Sequence, residues 1–96
     1  MRLEFHADAL AELQSAAEYY ESCQSELGIR FLDVVVDTLE RIARDPQAWP
    51  PADEDVRRCI TRVFPYGVYY TIEREFILIL AVAHLSREPG YWKSRK

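Results

Sequence analysis

The sequence has 96 residues, of which 49% are hydrophobic and 29% charged, with a net charge of −4. A chain of this length buries one core, so we expect a single globular domain over residues 1–96. Its longest apolar run, Phe76–Ala83, is too short to span a bilayer, and Arg2 and Glu4 interrupt the apolar start as no signal peptide would. These features predict a cytoplasmic protein without a membrane partner.

The chain begins with a short strand and an amphipathic helix. Arg2–Phe5 has the composition of a strand. From Asp8 onward apolar residues recur at helical spacing, which predicts a first helix with His6 as its cap. The predicted apolar positions are Leu10, Leu13, Ala17 and Tyr20.

A second helix follows after a short break. Ser25 is a suitable N-cap, and Pro46 ends the helical pattern. The predicted apolar stripe consists of Phe31, Val35, Leu39 and Ile42, flanked by Leu32 and Val36. The short break predicts an antiparallel helical hairpin, whose apolar face must pack on one face of a sheet.

The second half predicts a loop and three strands. Residues 45–55 contain three prolines and four acids, which is typical of a loop. The strands are predicted at 57–63, 68–72 and 76–84, the last apolar on both faces and therefore interior. The predicted fold is α+β, β-α-α-β-β-β, with a mostly antiparallel sheet and the helical hairpin on one face. The other face, with the tail beyond His84, would be the working surface.

Charge is distributed unevenly along the chain. Residues 1–55 carry 4 basic and 13 acidic side chains, whereas residues 56–96 carry 8 basic and 3 acidic ones. The basic second half predicts a surface for an anionic partner, although the two halves could also simply attract each other. Cys23 and Cys59 form no ligand-spaced cluster, so we expect reduced thiols, no metal site and no cofactor.

The joint pattern resembles one known group of proteins. "RRCITRVFPYGVYYTIEREFILILAVAHLSREPGYWKSR" and "ELGIRFLDVVVDTLERIARDP" are similar to segments of the RelE/ParE superfamily, the toxins of type II toxin–antitoxin systems, also described as plasmid stabilization proteins. The resemblance implies a toxin that arrests bacterial growth and is neutralised by a cognate antitoxin. It leaves two targets open, because RelE-like members cut messenger RNA on the ribosome and ParE-like members poison DNA gyrase.

The resemblance also implies site residues. Arg58 and Arg62 match the basic positions of the nuclease branch, and Arg87 and Tyr91 match its later positions, but Gly67 stands where that branch has an arginine. If the protein is an enzyme, it is a metal-independent endoribonuclease. The candidate catalytic residues are then His84, Arg87 and Tyr91. The candidate RNA- or antitoxin-binding residues are Arg57, Arg58, Arg62, Trp92, Lys93 and Arg95.

Structural roles remain open for several of these residues. His84 could cap the end of its strand through a backbone hydrogen bond, and Tyr91 and Trp92 could pack over the sheet. The protein could also inhibit by binding alone, or be a degenerate homologue that only binds the antitoxin. The sequence does not decide among these functions.

Overall fold

A computed structural model describes residues 1–96. The elements are β1 (Arg2–Phe5), α1 (Ala7–Cys23), α2 (Leu27–Arg44), β2 (Pro51–Asp53), β3 (Val56–Ile60), β4 (Tyr66–Ile72), β5 (Phe76–His84) and a short 3-10 helix (Tyr91–Arg95). The five strands form one sheet in the order β1-β5-β4-β3-β2. Only β1 and β5 are parallel, and the other pairs are antiparallel. The predicted α+β fold with a helical hairpin is therefore confirmed.

The two helices begin in different ways. The imidazole Nδ1 of His6 accepts a hydrogen bond from the N–H of Asp8 at 3.1 Å, so the predicted cap is present. The predicted Ser25 cap is wrong, because α2 begins one residue later, after Glu26 in the left-handed conformation. The Glu21 carboxylate on α1 instead accepts from the N–H groups of Glu26 at 3.1 Å and Gly28 at 3.0 Å. One helix thus satisfies the free backbone donors of the next.

The helical hairpin covers one face of the sheet. Side chains of both helices, three strands and the β3–β4 turn form a common core there: Ala9, Ala16, Phe31, Val35, Ile42, Cys59, Phe64, Val68, Tyr70, Ile77, Ile79 and Val82. Leu10, predicted on the apolar stripe of α1, is 43% exposed, and Ala9 and Ala16 take the buried positions. Small residues at these positions let the helix approach the sheet closely. Neither α1 nor α2 combines the length and the apolar composition that a membrane-spanning helix requires.

The strand β3 is shorter than the sequence predicts, and β2 was not predicted. β3 ends at Ile60, so Arg62 lies in the turn before β4. The prediction of a strand over residues 57–63 is therefore wrong at its end, and Arg58 and Arg62 do not lie on one strand. Arg62 reaches toward α2, where its Nη1 lies 3.6 Å from the Asp37 carboxylate. Part of the predicted loop, Pro51–Asp53, forms β2 and pairs with the start of β3.

A bulge in β5 decides which side chains face the helices. Tyr70 pairs with Ile79, but Tyr69 pairs with Ala81, so one residue of β5 is extra at this point. After the bulge Val82 returns to the helix-side core, and His84 lies beside Tyr66 with ring centroids 5.4 Å apart. Without the extra residue His84 would point to the other face.

The chain after β5 covers part of the sheet face opposite the helices. The chain after β5 folds back across it, and the 3-10 helix places Trp92 against the sheet with only 2% of its surface exposed. This second core contains Val56, Tyr69, Leu80, Ala81, Ala83 and Trp92. The tail therefore covers part of the predicted working surface.

Candidate functional site

The carboxylate of Glu12 binds the C-terminal tail to α1 and β5. Its Oε2 accepts hydrogen bonds from the Tyr91 hydroxyl at 2.8 Å, from Arg87 Nη1 at 3.2 Å and from Arg95 Nη2 at 3.0 Å. Its Oε1 accepts from Arg95 Nη1 at 2.9 Å and from the N–H of Val82 at 3.1 Å. Three residues proposed from the sequence therefore meet at one acid of α1, which the sequence analysis did not propose.

The position of this cluster follows from the sheet topology. β1 pairs with β5 only as far as Ile79, whereas β5 continues to His84. Beyond that point the backbone of β5 has an open edge, and side chains satisfy part of it: Glu12 accepts from Val82, and Arg95 donates to the carbonyl of Leu80 at 2.9 Å. Backbone groups at such an edge need partners, and here the side chains provide them.

A sequence signal for Glu12 exists. Glu12 lies between Ala9 and Ala16, at the spacing of the stripe of α1 that contacts the sheet. An acid on a buried stripe of small residues indicates a partner on the facing element, because a buried charge needs one. The partner arginines are more than 70 residues away in sequence and cannot be identified from this pattern.

Burial and the hydrogen bonds of the cluster shift the pKa values of Glu12 and Tyr91. Burial raises the pKa of Glu12, but the bonds from Arg95, Tyr91 and Val82 together outweigh it and lower the pKa below its ordinary value. Burial and the hydrogen bond to Glu12 raise the pKa of the Tyr91 phenol well above its ordinary value. The phenol is therefore neutral and donates to Glu12, which leaves it poorly suited to act as a base.

Most of the other proposed cations are also paired within the protein. Arg57 Nη1 donates to the carbonyls of Trp49 at 2.7 Å and Gln47 at 3.2 Å. Lys93 forms an ion pair with Asp53 at 3.1 Å. The remaining basic residues of the tail bind acids as well: Arg87 and Arg95 contact Glu12, and Lys96 contacts Asp55.

His84 and Trp92 occupy structural positions. The His84 Nδ1 accepts a hydrogen bond from the N–H of Ser86 at 3.0 Å, as expected for a residue that caps its strand. The ring is exposed on the helix side of the sheet, in a shallow cleft with Glu12 and Arg87. The indole of Trp92 packs against Tyr69 with ring centroids 5.3 Å apart, and its burial prevents stacking on a base.

Arg58 is the proposed cation without an acidic partner, and it lies in a cleft on the tail side of the sheet. The cleft has a volume of about 460 Å³ and lies between β2, β3, β4 and the tail. The Arg58 guanidinium lies 6.0 Å from the centroid of the Tyr69 ring. A Cβ on Gly67 would lie 3.1 Å from Arg58 Cδ, so the Arg58 stem occupies the space above this glycine. An arginine at position 67 would compete with Arg58 for that space.

The proposed groups lie in two places: His84, Arg87 and Tyr91 gather around Glu12, whereas Arg58 lies apart from them. Arg58 lies on the tail side of the sheet, whereas His84 lies on the helix side beside Tyr66. The Tyr91 hydroxyl is bound to Glu12. RNA cleavage needs a base, an acid and cations around a single phosphate, and Arg58 is separated from the two groups that could transfer a proton. No group of three or more His, Cys, Asp and Glu side chains is arranged to hold a metal ion.

Three comparisons with known proteins agree, because each finds a ParE toxin or a ParDE system. Residues 3–89 match the family model described as the ParE toxin of the type II toxin–antitoxin system parDE. Toxin ParE2 from two strains of Mycobacterium tuberculosis is 32% identical over 90 residues, covering 93% of this chain and 86% of the relative. A solved chain from the chromosomal ParDE system of P. aeruginosa has a similar fold, with a TM-score of 0.78 and 18% identity. That match covers 88% of this chain and 95% of the other.

Proposed function

This chain belongs to the ParE family of toxins of type II toxin–antitoxin systems, and we propose that it arrests bacterial growth by binding DNA gyrase, without cleaving RNA. Membership of the family implies a cognate antitoxin that neutralises the toxin. We propose gyrase as the target because ParE-like members of the superfamily poison it, and the action would then take place in the cytoplasm.

One observation favours inhibition by binding over RNA cleavage. The groups that could transfer a proton, His84 and Tyr91, are separated from the unpaired cation Arg58. The position at which an additional arginine would be required is Gly67, where the Arg58 stem fills the space. Electrostatic stabilisation by one guanidinium without an acid and a base would leave most of the barrier to RNA cleavage in place.

The test is induced expression with separate pulse labelling of DNA and protein synthesis. We expect DNA synthesis to stop first and protein synthesis to decline later. With the purified toxin, we expect loss of supercoiling by gyrase in vitro, and intact messenger RNA in a translation extract. The antitoxin added in equal amount should restore supercoiling.

Two results would contradict the proposal. Codon-specific cleavage of messenger RNA in the extract would assign the protein to the nuclease branch. Continued growth after induction, with folded toxin present in the cells, would indicate a homologue that retains only antitoxin binding.

A further inference from the structure

Arg58 differs from the other arginines of the tail side because its guanidinium has no acceptor. It makes no side-chain hydrogen bond and no ion pair, and its only charge-related contact is with the face of Tyr69. The other basic side chain lining the same cleft, Lys93, is paired with Asp53. An unpaired, partly buried guanidinium with five N–H donors is a binding group for an anion.

The residues around the Arg58 guanidinium hold its side chain in place and form the walls of the cleft. Gly67 beneath and the Tyr69 ring beside it fix the Arg58 stem. Gly90, in the left-handed conformation with φ of 90°, turns the tail so that Trp92 and Lys93 form the opposite wall. Pro51 and Pro89 add apolar surface at the rim. The cleft therefore offers an apolar rim and one free cation.

The net charge of the cleft favours a carboxylate ligand over the phosphate backbone of a nucleic acid. The ionic side chains in the cleft are Arg58, Lys93 and Asp53, so one positive charge is left uncompensated. The adjacent Glu54 and Asp55 lie next to β2 and would repel a chain of phosphates. A single carboxylate flanked by apolar side chains matches both the charge of the cleft and its apolar rim, and it accepts the two parallel N–H groups of a guanidinium.

We propose that the Arg58 cleft is the docking site for an acidic side chain of the antitoxin, carried on a segment with apolar neighbours. The Glu or Asp carboxylate would bind the guanidinium in two-pronged geometry, and the flanking apolar residues would contact Pro51 and Pro89 at the rim of the cleft. This inference rests on the proposed function only in naming the antitoxin as the source of the peptide.

The test uses the full-length protein and capped peptides. Acetyl-Leu-Glu-Val-amide is titrated against ¹⁵N-labelled protein and compared with acetyl-Leu-Gln-Val-amide. We expect saturable shifts of the Gly90 amide and the Trp92 indole N–H with the Glu peptide. The Gln peptide and the Arg58→Gln variant should each bind at least about 10-fold more weakly, as for loss of one charge-assisted contact. Arg74→Gln, which removes an exposed and unpaired arginine in the β4–β5 turn, is the matched control and should bind normally.

The outcomes are separable from those of the gyrase experiment, which does not involve the peptides. Equal binding of the Glu and Gln peptides, or no shift of the cleft resonances with either, overturns the proposal. A hexamer of uridylate that binds this cleft more tightly than the Glu peptide also overturns it and assigns the cleft to RNA. Arg58→Lys checks the geometry: it keeps the charge but loses the guanidinium fork, so intermediate affinity supports the two-pronged contact, whereas affinity equal to that of the wild type contradicts it.

Discussion

The Glu12 carboxylate and the Arg95 guanidinium, 83 residues apart in sequence, make two parallel hydrogen bonds of 2.9 and 3.0 Å between Oε1 and Nη1 and between Oε2 and Nη2. Both side chains are largely buried, with 15% and 13% of their surface exposed. The pair joins the first helix to the last turn of the chain, and Arg95 also donates to the carbonyl of Leu80 on β5. The fold of the tail therefore depends on a residue near the N-terminus.

The first prediction concerns the neutral variant Glu12→Gln. It keeps the size of the side chain but removes the charge that Arg87 and Arg95 contact, and it leaves a buried guanidinium without its anion. We expect the free energy of unfolding to fall by about 2–3 kcal/mol, measured by urea denaturation. Glu18→Gln on the exposed side of the same helix is the control and should change it by less than about 0.5 kcal/mol. Equal effects of the two variants would contradict the role assigned to Glu12.

The second prediction concerns acid. The pKa of Glu12 is lower in the folded protein than in the unfolded chain, because the hydrogen bonds from Arg95, Tyr91 and Val82 outweigh burial. The unfolded state therefore binds a proton first as the pH falls. The contribution of Glu12 to stability is complete above the unfolded value and is lost as the pH drops through the folded value. Melting temperatures from pH 7 downward should show a decline below about pH 5. Part of this decline should be absent in Glu12→Gln, and parallel curves for the two proteins would refute the assignment.

The third prediction concerns Trp92, whose indole is 2% exposed against Tyr69 and Ala81. Trp92→Ala removes a large buried ring and should lower the free energy of unfolding by about 3–5 kcal/mol. For a domain of this size, the melting temperature should fall by more than about 10 °C. Leu85→Ala, which truncates a residue that is 40% exposed, is the control with little expected change. A Trp92→Ala variant that melts like the wild type would mean that the tail is dispensable for the fold.

Much of the fold was predictable because it depends on local patterns. The apolar run of β5 fixed its bounds at Phe76–His84, and Pro46 marked the end of α2 within two residues. The short β2 was not predictable, because Pro51–Asp53 is rich in turn residues and is a strand only through its pairing with β3. Ser25 and Glu26 show the same limit, since the contact that starts α2 comes from Glu21 on the preceding helix.

The candidate site was less predictable because tertiary contacts decide which charges stay free. The bulge opposite Tyr70 moves His84 to the helix side, and strict alternation along β5 gives the wrong face. Arginines that are alike in sequence differ in the fold: Arg62 contacts Asp37, whereas Arg58 has no acid partner. Pairings of this kind depend on positions far apart in the chain and leave no periodic signal.

The last prediction concerns the turn between β3 and β4. Val63 has φ of 70° and is 82% exposed, although a β-branched residue is strained in the left-handed region. The N–H of Phe64 donates to the carbonyl of Arg62 at 2.7 Å, and the Thr61 hydroxyl donates to the carbonyl of Phe64 at 2.7 Å, so these bonds hold the tight turn around Val63.

Val63→Gly should relieve the strain at the cost of greater freedom in the unfolded chain. Left-handed strain of about 1–2 kcal/mol exceeds the entropic cost of glycine, about 0.5–1 kcal/mol, so we expect a net gain of about 0.5–1 kcal/mol. The melting temperature measured by calorimetry should rise by a few degrees. Val63→Ala, which removes the branch but keeps a Cβ, should give a smaller gain because the Cβ clash with the backbone persists. A lower melting temperature for Val63→Gly than for the wild type would show that contacts of the valine side chain outweigh the strain at this position.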